Sequence, residues 1–185
     1  KDRVRIYSLN PSNGKIKQLQ AKEDVISDYS IANQAFEMVY FGLSASNSQR
    51  LYTYNLKNDA SSCLIDLSKE ILRDVTLGEV QDWNFVSAQG DTIYGRFYLP
   101  PHFDATKKYP MIVNYYGGTT PTARVMESRY PSHVYAGLGY IVYIIQPSGA
   151  TGFGQEFSAR HVNAWGKLTA DEIIEGTKKF CEEHP

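Results

Sequence analysis

Short runs of apolar and aromatic residues alternate with polar turns over the first 80 or so residues, a pattern that predicts β-strands. The run 5–10 (RIYSLN) recurs 45 residues later as 50–55 (RLYTYN), and each copy leads into a turn-rich stretch. Two further strand-like runs, 29–32 and 38–43, lie between the copies. A period of ~40–50 residues with short strands is typical of β-propeller blades. The alternative is a plain meander in which two hairpins are alike.

A second pattern begins after a short polar connector near residues 66–72. The runs 83–87 and 92–99 flank Gln89-Gly90-Asp91, which predicts a β-hairpin. We therefore expect a domain boundary between residues 66 and 82.

Two apolar runs, 111–115 and 139–145, follow the hairpin. The second is a continuous series of β-branched and aromatic residues, as expected for a strand that is buried on both faces. A short helix is predicted around residues 132–136, between the two runs. Because a helix-containing crossover joins the strands, we predict that they pair in parallel.

The last predicted element is a helix that starts near Thr169. Thr169-Ala170-Asp171-Glu172 matches a capping box, and the acidic pair would favour the positive end of the helix dipole. One apolar stripe would then consist of Ile173, Thr177, Phe180 and Cys181.

Composition and charge exclude several classes of function. The formal net charge of −1 indicates neither a nucleic-acid partner nor an anionic membrane. The longest apolar run, 140–145, is far shorter than the ~20 residues of a membrane-spanning helix. The four histidines are scattered, so no metal site is expected. Trp83 and Trp165 are interpreted as packing residues.

The glycine-rich stretch 147–154 could cradle a phosphate, because it follows a buried strand. Its glycines are spaced G-x-x-G-x-G, however, and not G-x-G-x-x-G as in dinucleotide-binding loops. The acidic residues about 20 positions on, Asp171 and Glu172, open a helix instead of ending a strand. We therefore expect no cofactor.

The turn Tyr115-Tyr116-Gly117-Gly118 carries the clearest candidate chemistry. Acyl transfer creates a negative oxygen, and glycines at the end of a strand let backbone N–H donors approach it, with a tyrosine hydroxyl as a further donor. No G-x-S-x-G nucleophile motif occurs in the 185 residues; the nearest string, 42–46, lacks the second glycine. A tight turn capped by aromatic residues is the alternative. We expect the chain to be a piece of a larger enzyme.

Taken together, these segments resemble the prolyl oligopeptidase family of serine peptidases, especially its dipeptidyl peptidase IV-like branch. Residues 1–80 resemble the C-terminal part of the family's β-propeller, and residues 81–185 the N-terminal part of its α/β-hydrolase catalytic domain. The similarity runs through 98–104, 107–110, 116–118, 139–140, 152–157, 165–166 and 171–172. The implied fold is a mixed sheet of the α/β-hydrolase type, N-terminal portion only, preceded by one or more antiparallel propeller blades.

The resemblance implies that the Tyr116 hydroxyl is the catalytic oxyanion donor, and that serine, aspartate and histidine follow beyond Pro185. Strand alternation would point Tyr115 the opposite way, into a packing role. The parent would cleave short peptides, with proline before the cleaved bond as one option, through an acyl-enzyme. Dipeptidyl, tripeptidyl, oligopeptidyl and acylaminoacyl cleavage all stay open.

Two other functions remain as alternatives: an esterase of the α/β-hydrolase type, and a non-catalytic peptide-binding protein on the same fold. The partner expected is a peptide substrate, and cut sheet edges would favour homo-oligomers. The resemblance favours an exported or periplasmic protein over a cytoplasmic one. Two positions depart from the family: Ser148 stands where arginine is frequent, and Thr119 where proline is common.

Overall fold

A computed structural model describes residues 2–164 and 166–184. The chain forms two compact units. The N-terminal unit contains Arg3–Thr76 and Arg124–Arg129, and the C-terminal unit contains Asp2, Leu77–Ala123 and the described residues from Tyr130 onward.

The N-terminal unit is built from antiparallel strands and one short helix. A two-stranded sheet pairs β1 with β2, and a four-stranded sheet has the order β3-β4-β5-β6. The elements are β1 (Tyr7–Leu9), β2 (Ile16–Gln18), β3 (Val25–Ile31), β4 (Glu37–Ser44), β5 (Asn47–Asn55), β6 (Ala60–Asp66) and α1 (Ser68–Ile71).

Alternation along the central strands determines which face of the larger sheet is buried. Met38 and Tyr40 on β4, and Tyr52 and Tyr54 on β5, are buried, while their chain neighbours lie on the other face. The rings of Tyr40 and Tyr52 stack with centroids 5.0 Å apart. These four side chains pack with Leu19 and Ile26 as one hydrophobic core.

The 45-residue repeat is present in the structure, and the two copies also pair with their partner strands in the same register. Tyr7 lies opposite Gln18 in the first copy, and Tyr52 lies opposite Cys63 in the second. The turn is repeated as well, since Asn10 accepts a hydrogen bond from the Ser12 amide and Asn55 accepts one from the Lys57 amide.

The C-terminal unit has a mixed sheet of four strands in the order β7-β8-β10-β9. β7 pairs with β8 and β8 with β10 in antiparallel fashion, whereas β9 and β10 are parallel. The predicted hairpin and the predicted parallel pairing are therefore confirmed. The elements are β7 (Val80–Val86), β8 (Thr92–Tyr98), β9 (Met111–Asn114), α2 (Ser132–Gly137), β10 (Ile141–Gln146), α3 (Gln155–Ala159) and α4 (Lys167–Glu183).

The longest helix, α4, covers the aromatic side of this sheet. Phe180 stacks on Tyr143 and lies edge-on to Trp83, with ring centroids 4.9 and 5.2 Å apart. The expected packing role of Trp83 is confirmed, and Trp165 lies outside the described residues. Across the described part of the chain, none of the helices is long and apolar enough to cross a membrane.

Candidate active site

The turn with Tyr116 lies where β9 ends, and both tyrosines of the turn are half exposed. Tyr115 is 49% exposed and Tyr116 is 56% exposed. The Tyr116 ring lies against Gly118: a Cβ atom on Gly118 would lie 2.6 Å from Cε1 of Tyr116 and 3.3 Å from its hydroxyl oxygen. Only a residue without a side chain fits beneath the ring in this position, so Gly118 permits the conformation of Tyr116.

An open cavity of about 380 Å³ borders the same strand end. Its lining residues are Ile112, Val113, Asn114, Tyr115, Tyr130 and Tyr135. Tyr115, half exposed at this cavity, does not show the burial that a packing role would require. Tyr116 lies outside the lining set, so the two neighbouring tyrosines have different surroundings.

Downstream of the turn, buried polar side chains hold the segment 119–123. The Thr122 amide donates to Oε1 of Gln146 at 2.9 Å, and Nε2 of Gln146 donates back to the Thr122 carbonyl at 2.8 Å. The buried guanidinium of Arg96 donates to the Ala123 carbonyl at 2.6 Å and pairs with Asp2 at 3.0 Å. The exposed turn is thus followed by a firmly anchored segment, because buried side chains of β8 and β10 form hydrogen bonds with the backbone of that segment.

The glycine-rich loop 147–154 lies next to this segment and is bonded to it. The amide and the hydroxyl of Thr151 both donate to the Thr119 carbonyl, at 2.8 and 3.1 Å. Gly149, Gly152 and Gly154 have φ angles of 100°, 87° and 113°, which explains the choice of glycine at each. The loop therefore begins at the end of β10 and is hydrogen-bonded to Thr119, the residue that follows Gly118.

Glu172 of α4 points into this loop and is fully buried. Its Oε2 accepts a hydrogen bond from the Ser148 amide and its Oε1 accepts one from the Ser148 hydroxyl, both at 2.8 Å. Burial raises the pKa of the Glu172 carboxyl above its ordinary value, while the two bonds from Ser148 oppose that shift. A carboxylate already uses the donors of Ser148, which argues against phosphate binding there.

The position of Glu172 corrects the predicted start of the last helix. The capping box is wrong: α4 begins at Lys167 after Gly166, Thr169 is buried inside the helix, and no side-chain cap forms. The apolar stripe is also displaced, since the buried face is Thr169, Glu172, Gly176 and Phe180, and Cys181 is exposed.

Close packing at Gly176 explains this rotation of α4. A Cβ atom on Gly176 would lie 2.5 Å from the Phe85 ring and 2.9 Å from Cδ1 of Ile145, so this side of the helix must face the sheet. Glu172, one turn earlier on that face, then reaches Ser148. The sequence signal for this arrangement was Gly176 in the helix, which a search for apolar periodicity does not take into account.

The histidines do not gather into a site. His161 packs against Gly149, His184 stacks on Phe180, and His133 lies edge-on to Tyr98. Within residues 2–164 and 166–184, no group of three or more His, Cys, Asp or Glu side chains could hold a metal ion.

Comparisons with known proteins find similarity to a family of peptidases and to individual dipeptidyl peptidases. The model of the prolyl oligopeptidase family matches residues 127–184. Dipeptidyl-peptidase 5 of Porphyromonas gingivalis is 28% identical over 97% of this chain and 26% of its own length. A probable dipeptidyl-peptidase 5 of Aspergillus terreus is 34% identical over 50% of this chain and 12% of its own length.

A solved structure supports the same relationship at the level of the fold. Acylaminoacyl peptidase of Pyrococcus horikoshii aligns with a TM-score of 0.79 and 20% identity, covering 94% of this chain and 27% of that one. The chain spans about a quarter of the length of the relatives that it matches throughout. It is a homologue of the prolyl oligopeptidase family, similar to the family's dipeptidyl peptidases.

Proposed function

We propose that this chain is part of a serine peptidase that cleaves short peptides through an acyl-enzyme, and that Tyr116 donates its hydroxyl to the oxyanion. The observation that carries the proposal is the exposed Tyr116 at the end of β9, whose ring is accommodated by Gly118. A hydroxyl already placed before the reaction stabilises developing charge without reorganisation. The peptide substrate follows from relatives named as dipeptidyl and acylaminoacyl peptidases.

The proposal also assigns the two parts of the chain to two different domains of the parent enzyme. Residues 81–185 would be the N-terminal part of an α/β-hydrolase catalytic domain, which is supported by the mixed sheet with its parallel pair β9–β10. Residues 1–80 would be the C-terminal part of a β-propeller, which is supported by the four-stranded antiparallel sheet and by the identical register of the two copies of the repeat.

The nucleophilic serine, its histidine base and the orienting aspartate would come from sequence outside these 185 residues. The chain alone should therefore hydrolyse neither peptides nor esters above background, because it holds an oxyanion donor without an activated nucleophile. Release of chromophore from proline-containing dipeptide substrates, together with labelling by a fluorophosphonate, would contradict this.

The decisive experiment replaces Tyr116 by phenylalanine in a longer polypeptide that carries the nucleophile. Loss of one oxyanion donor should lower kcat by roughly 10²–10³ and leave KM nearly unchanged. Tyr115→Phe is the matched control and should change kcat far less. If Tyr116→Phe keeps kcat within about twofold of wild type when acylation is rate-limiting, the assignment is wrong.

The same measurement separates the two alternative functions. An esterase would show the Tyr116→Phe loss with ester substrates and no turnover of peptides. A non-catalytic binding protein would turn over neither substrate, and its binding of peptides would be unaffected by the loss of one hydroxyl at Tyr116.

A further inference from the structure

The buried carboxylate of Glu172 is an unusual feature of the C-terminal unit. The ion pairs described for the chain do not include it, and its two oxygens accept hydrogen bonds from the amide and the hydroxyl of one residue, Ser148. Ser148 is itself buried. Burying a carboxylate is costly, and the hydrogen bonds found for it among the described residues both come from Ser148, so these two charge-assisted bonds stabilise the pair.

A short series of contacts leads from this pair to Tyr116. Three residues after Ser148, Thr151 donates twice to the Thr119 carbonyl, at 2.8 and 3.1 Å. Thr119 directly follows Gly118, against which the Tyr116 ring lies. Between Ser148 and Thr151 the loop has little freedom, since the Gly149 amide donates to the Phe157 carbonyl at 2.9 Å and Ala150 is buried.

The other anchors of the segment act further from the turn. Gln146 and Arg96 bond to the backbone of Thr122 and Ala123. Of these three anchors, the loop that Glu172 holds bonds nearest to Gly118 along the chain, at Thr119, so we expect the loss of this anchor to affect the turn first.

We propose that Glu172 is a positioning residue for Tyr116: through Ser148 it holds the loop 147–154, and this loop holds Thr119 and the turn 115–118 in place. The proposal rests on the function proposed for Tyr116, because positioning matters to the reaction only if Tyr116 takes part in it. The coupling itself can be measured without any reaction.

The test uses the 185-residue chain and follows two local signals, hydrogen exchange of the Thr151 amide and the NMR resonances of the Tyr116 ring. Glu172→Ala should speed exchange at Thr151 by roughly 10–100-fold, the factor expected for losing hydrogen bonds to a charged group. It should also shift the Tyr116 resonances, while amides of β4 and β5 keep their exchange rates.

Two further variants distinguish positioning from a general loss of stability. Glu172→Gln keeps the side-chain volume and can still bond to Ser148 with its amide, so Thr151 exchange should return to within about threefold of wild type. Glu175→Ala is the matched control on the same helix: its carboxylate bonds to the Ala88 amide and to Lys179, and its charge only repels that of Glu172, so its removal should neither speed Thr151 exchange nor shift the Tyr116 resonances.

If Glu172→Ala does not fold, Ser148→Ala provides the same test, because it removes only the hydroxyl bond and should speed Thr151 exchange by about 3–10-fold. Wild-type exchange at Thr151 in either folded variant, or an equal effect of Glu175→Ala, overturns the proposal. Disruption of both Glu172→Ala and Glu172→Gln to the same degree would also overturn it, since rescue by the amide is required.

The kinetic arm separates this proposal from the proposed function. In a longer, active polypeptide, Glu172→Ala should lower kcat with little change in KM, and the double variant with Tyr116→Phe should lose less than the product of the single losses. If Tyr116→Phe has no effect on kcat while Thr151 exchange responds to Glu172→Ala, the coupling stands and the oxyanion function fails. If Tyr116→Phe lowers kcat while Thr151 exchange does not respond to Glu172→Ala, the positioning role of Glu172 is rejected and the oxyanion function of Tyr116 stands.

Discussion

The hairpin β1–β2 and the hairpin β5–β6 are two copies of one local structure within the N-terminal unit. Residues 45 positions apart have the same strand partners, and both turns use an asparagine that accepts a hydrogen bond from the amide two residues on. In both copies the residue four positions after that asparagine, Gly14 or Asp59, has a positive φ, of 68° and 58°.

Their surroundings are opposite. Tyr52 and Tyr54 of the second hairpin are 3% and 1% exposed, whereas the equivalent Tyr7 and Leu9 of the first are 56% and 62% exposed. The second hairpin has β4 beside it, which places the Tyr40 ring against Tyr52. The comparison teaches that local sequence determines the hairpin and its turn, while a neighbouring strand determines how much each side chain stabilises the fold.

The largest contrast is expected at Tyr54 and Leu9. Tyr54→Ala should lower the free energy of unfolding by about 3–5 kcal/mol, because it opens a cavity in the core and removes the hydroxyl that accepts from the Gln20 amide at 3.0 Å. Leu9→Ala should stay within about 0.5 kcal/mol. Urea unfolding followed by amide exchange on β4 measures both, and similar losses for the two variants would break the comparison.

The next contrast concerns one hydroxyl in each copy. Tyr52→Phe should cost about 1–3 kcal/mol, since the Tyr52 hydroxyl donates to the mostly buried carboxylate of Glu23, which also pairs with Arg50 at 3.0 Å. The hydroxyl of Tyr7 donates to Gln18 at the surface, so Tyr7→Phe should cost less than about 0.5 kcal/mol. Equal costs in denaturant unfolding would show that burial is not the deciding factor.

The same pair predicts a difference at alkaline pH. Burial, together with the hydrogen bond to Glu23, raises the pKa of Tyr52 above its ordinary value. The folded state thus holds this proton more tightly than the unfolded state, so its contribution is full below pH ~10 and is lost as the pH rises above that. Tyr52→Phe should flatten the stability curve above pH 10, and an unchanged slope between pH 10 and 11.5 would contradict this.

A smaller effect is expected at the turns with positive φ. Gly14→Ala should cost about 1 kcal/mol, because an alanine there must adopt the left-handed region although the space around it is open. Gly14→Asp, which copies the residue of the second hairpin, should cost less than half as much, since aspartate tolerates this region. Thermal unfolding of both variants tests the order, and a greater loss for aspartate would overturn it.

The difference between the two copies should be smallest at their turn asparagines. Asn10→Ala and Asn55→Ala each remove the side-chain acceptor of one turn, at 3.0 and 2.9 Å from its amide donor. Each should cost about 0.5–1.5 kcal/mol, the net contribution of one such bond, because the second bond that Asn55 accepts, from the Asn58 amide, is long at 3.3 Å. A difference above about 1 kcal/mol between them, measured by amide exchange at Ser12 and Lys57, would show that the turns are not equivalent.

Much of the fold was readable from the sequence because its signals are local. The repeat of RIYSLN and RLYTYN located two equivalent hairpins, and the apolar run 139–145 next to a predicted crossover indicated a parallel pair with 111–115. The turn at Gly90 predicted the hairpin of the C-terminal unit. In each case neighbouring residues carried the information, and the tertiary structure agreed with it.

The candidate site was readable only in part. Tyr116 could be singled out from its place before two glycines together with the family resemblance, whereas the contacts that support the turn could not be predicted. Thr169–Glu172 predicted a helix cap because its residue types match one, yet the close packing of Gly176 on Phe85 and Ile145 turned the helix and brought Glu172 to Ser148. A contact between residues 24 positions apart leaves no periodic signal in the sequence.

The sequence by itself therefore determined the strands, the turn chemistry and the position of a tyrosine beside two glycines, since propensity, alternation and glycine conformation act within a few residues. Only the tertiary structure decided which copy of the repeat is buried, which face of α4 meets the sheet, and which carboxylate holds the loop near Tyr116. Those outcomes depend on how closely two distant backbones approach, and side-chain volume at a few contact points sets that distance.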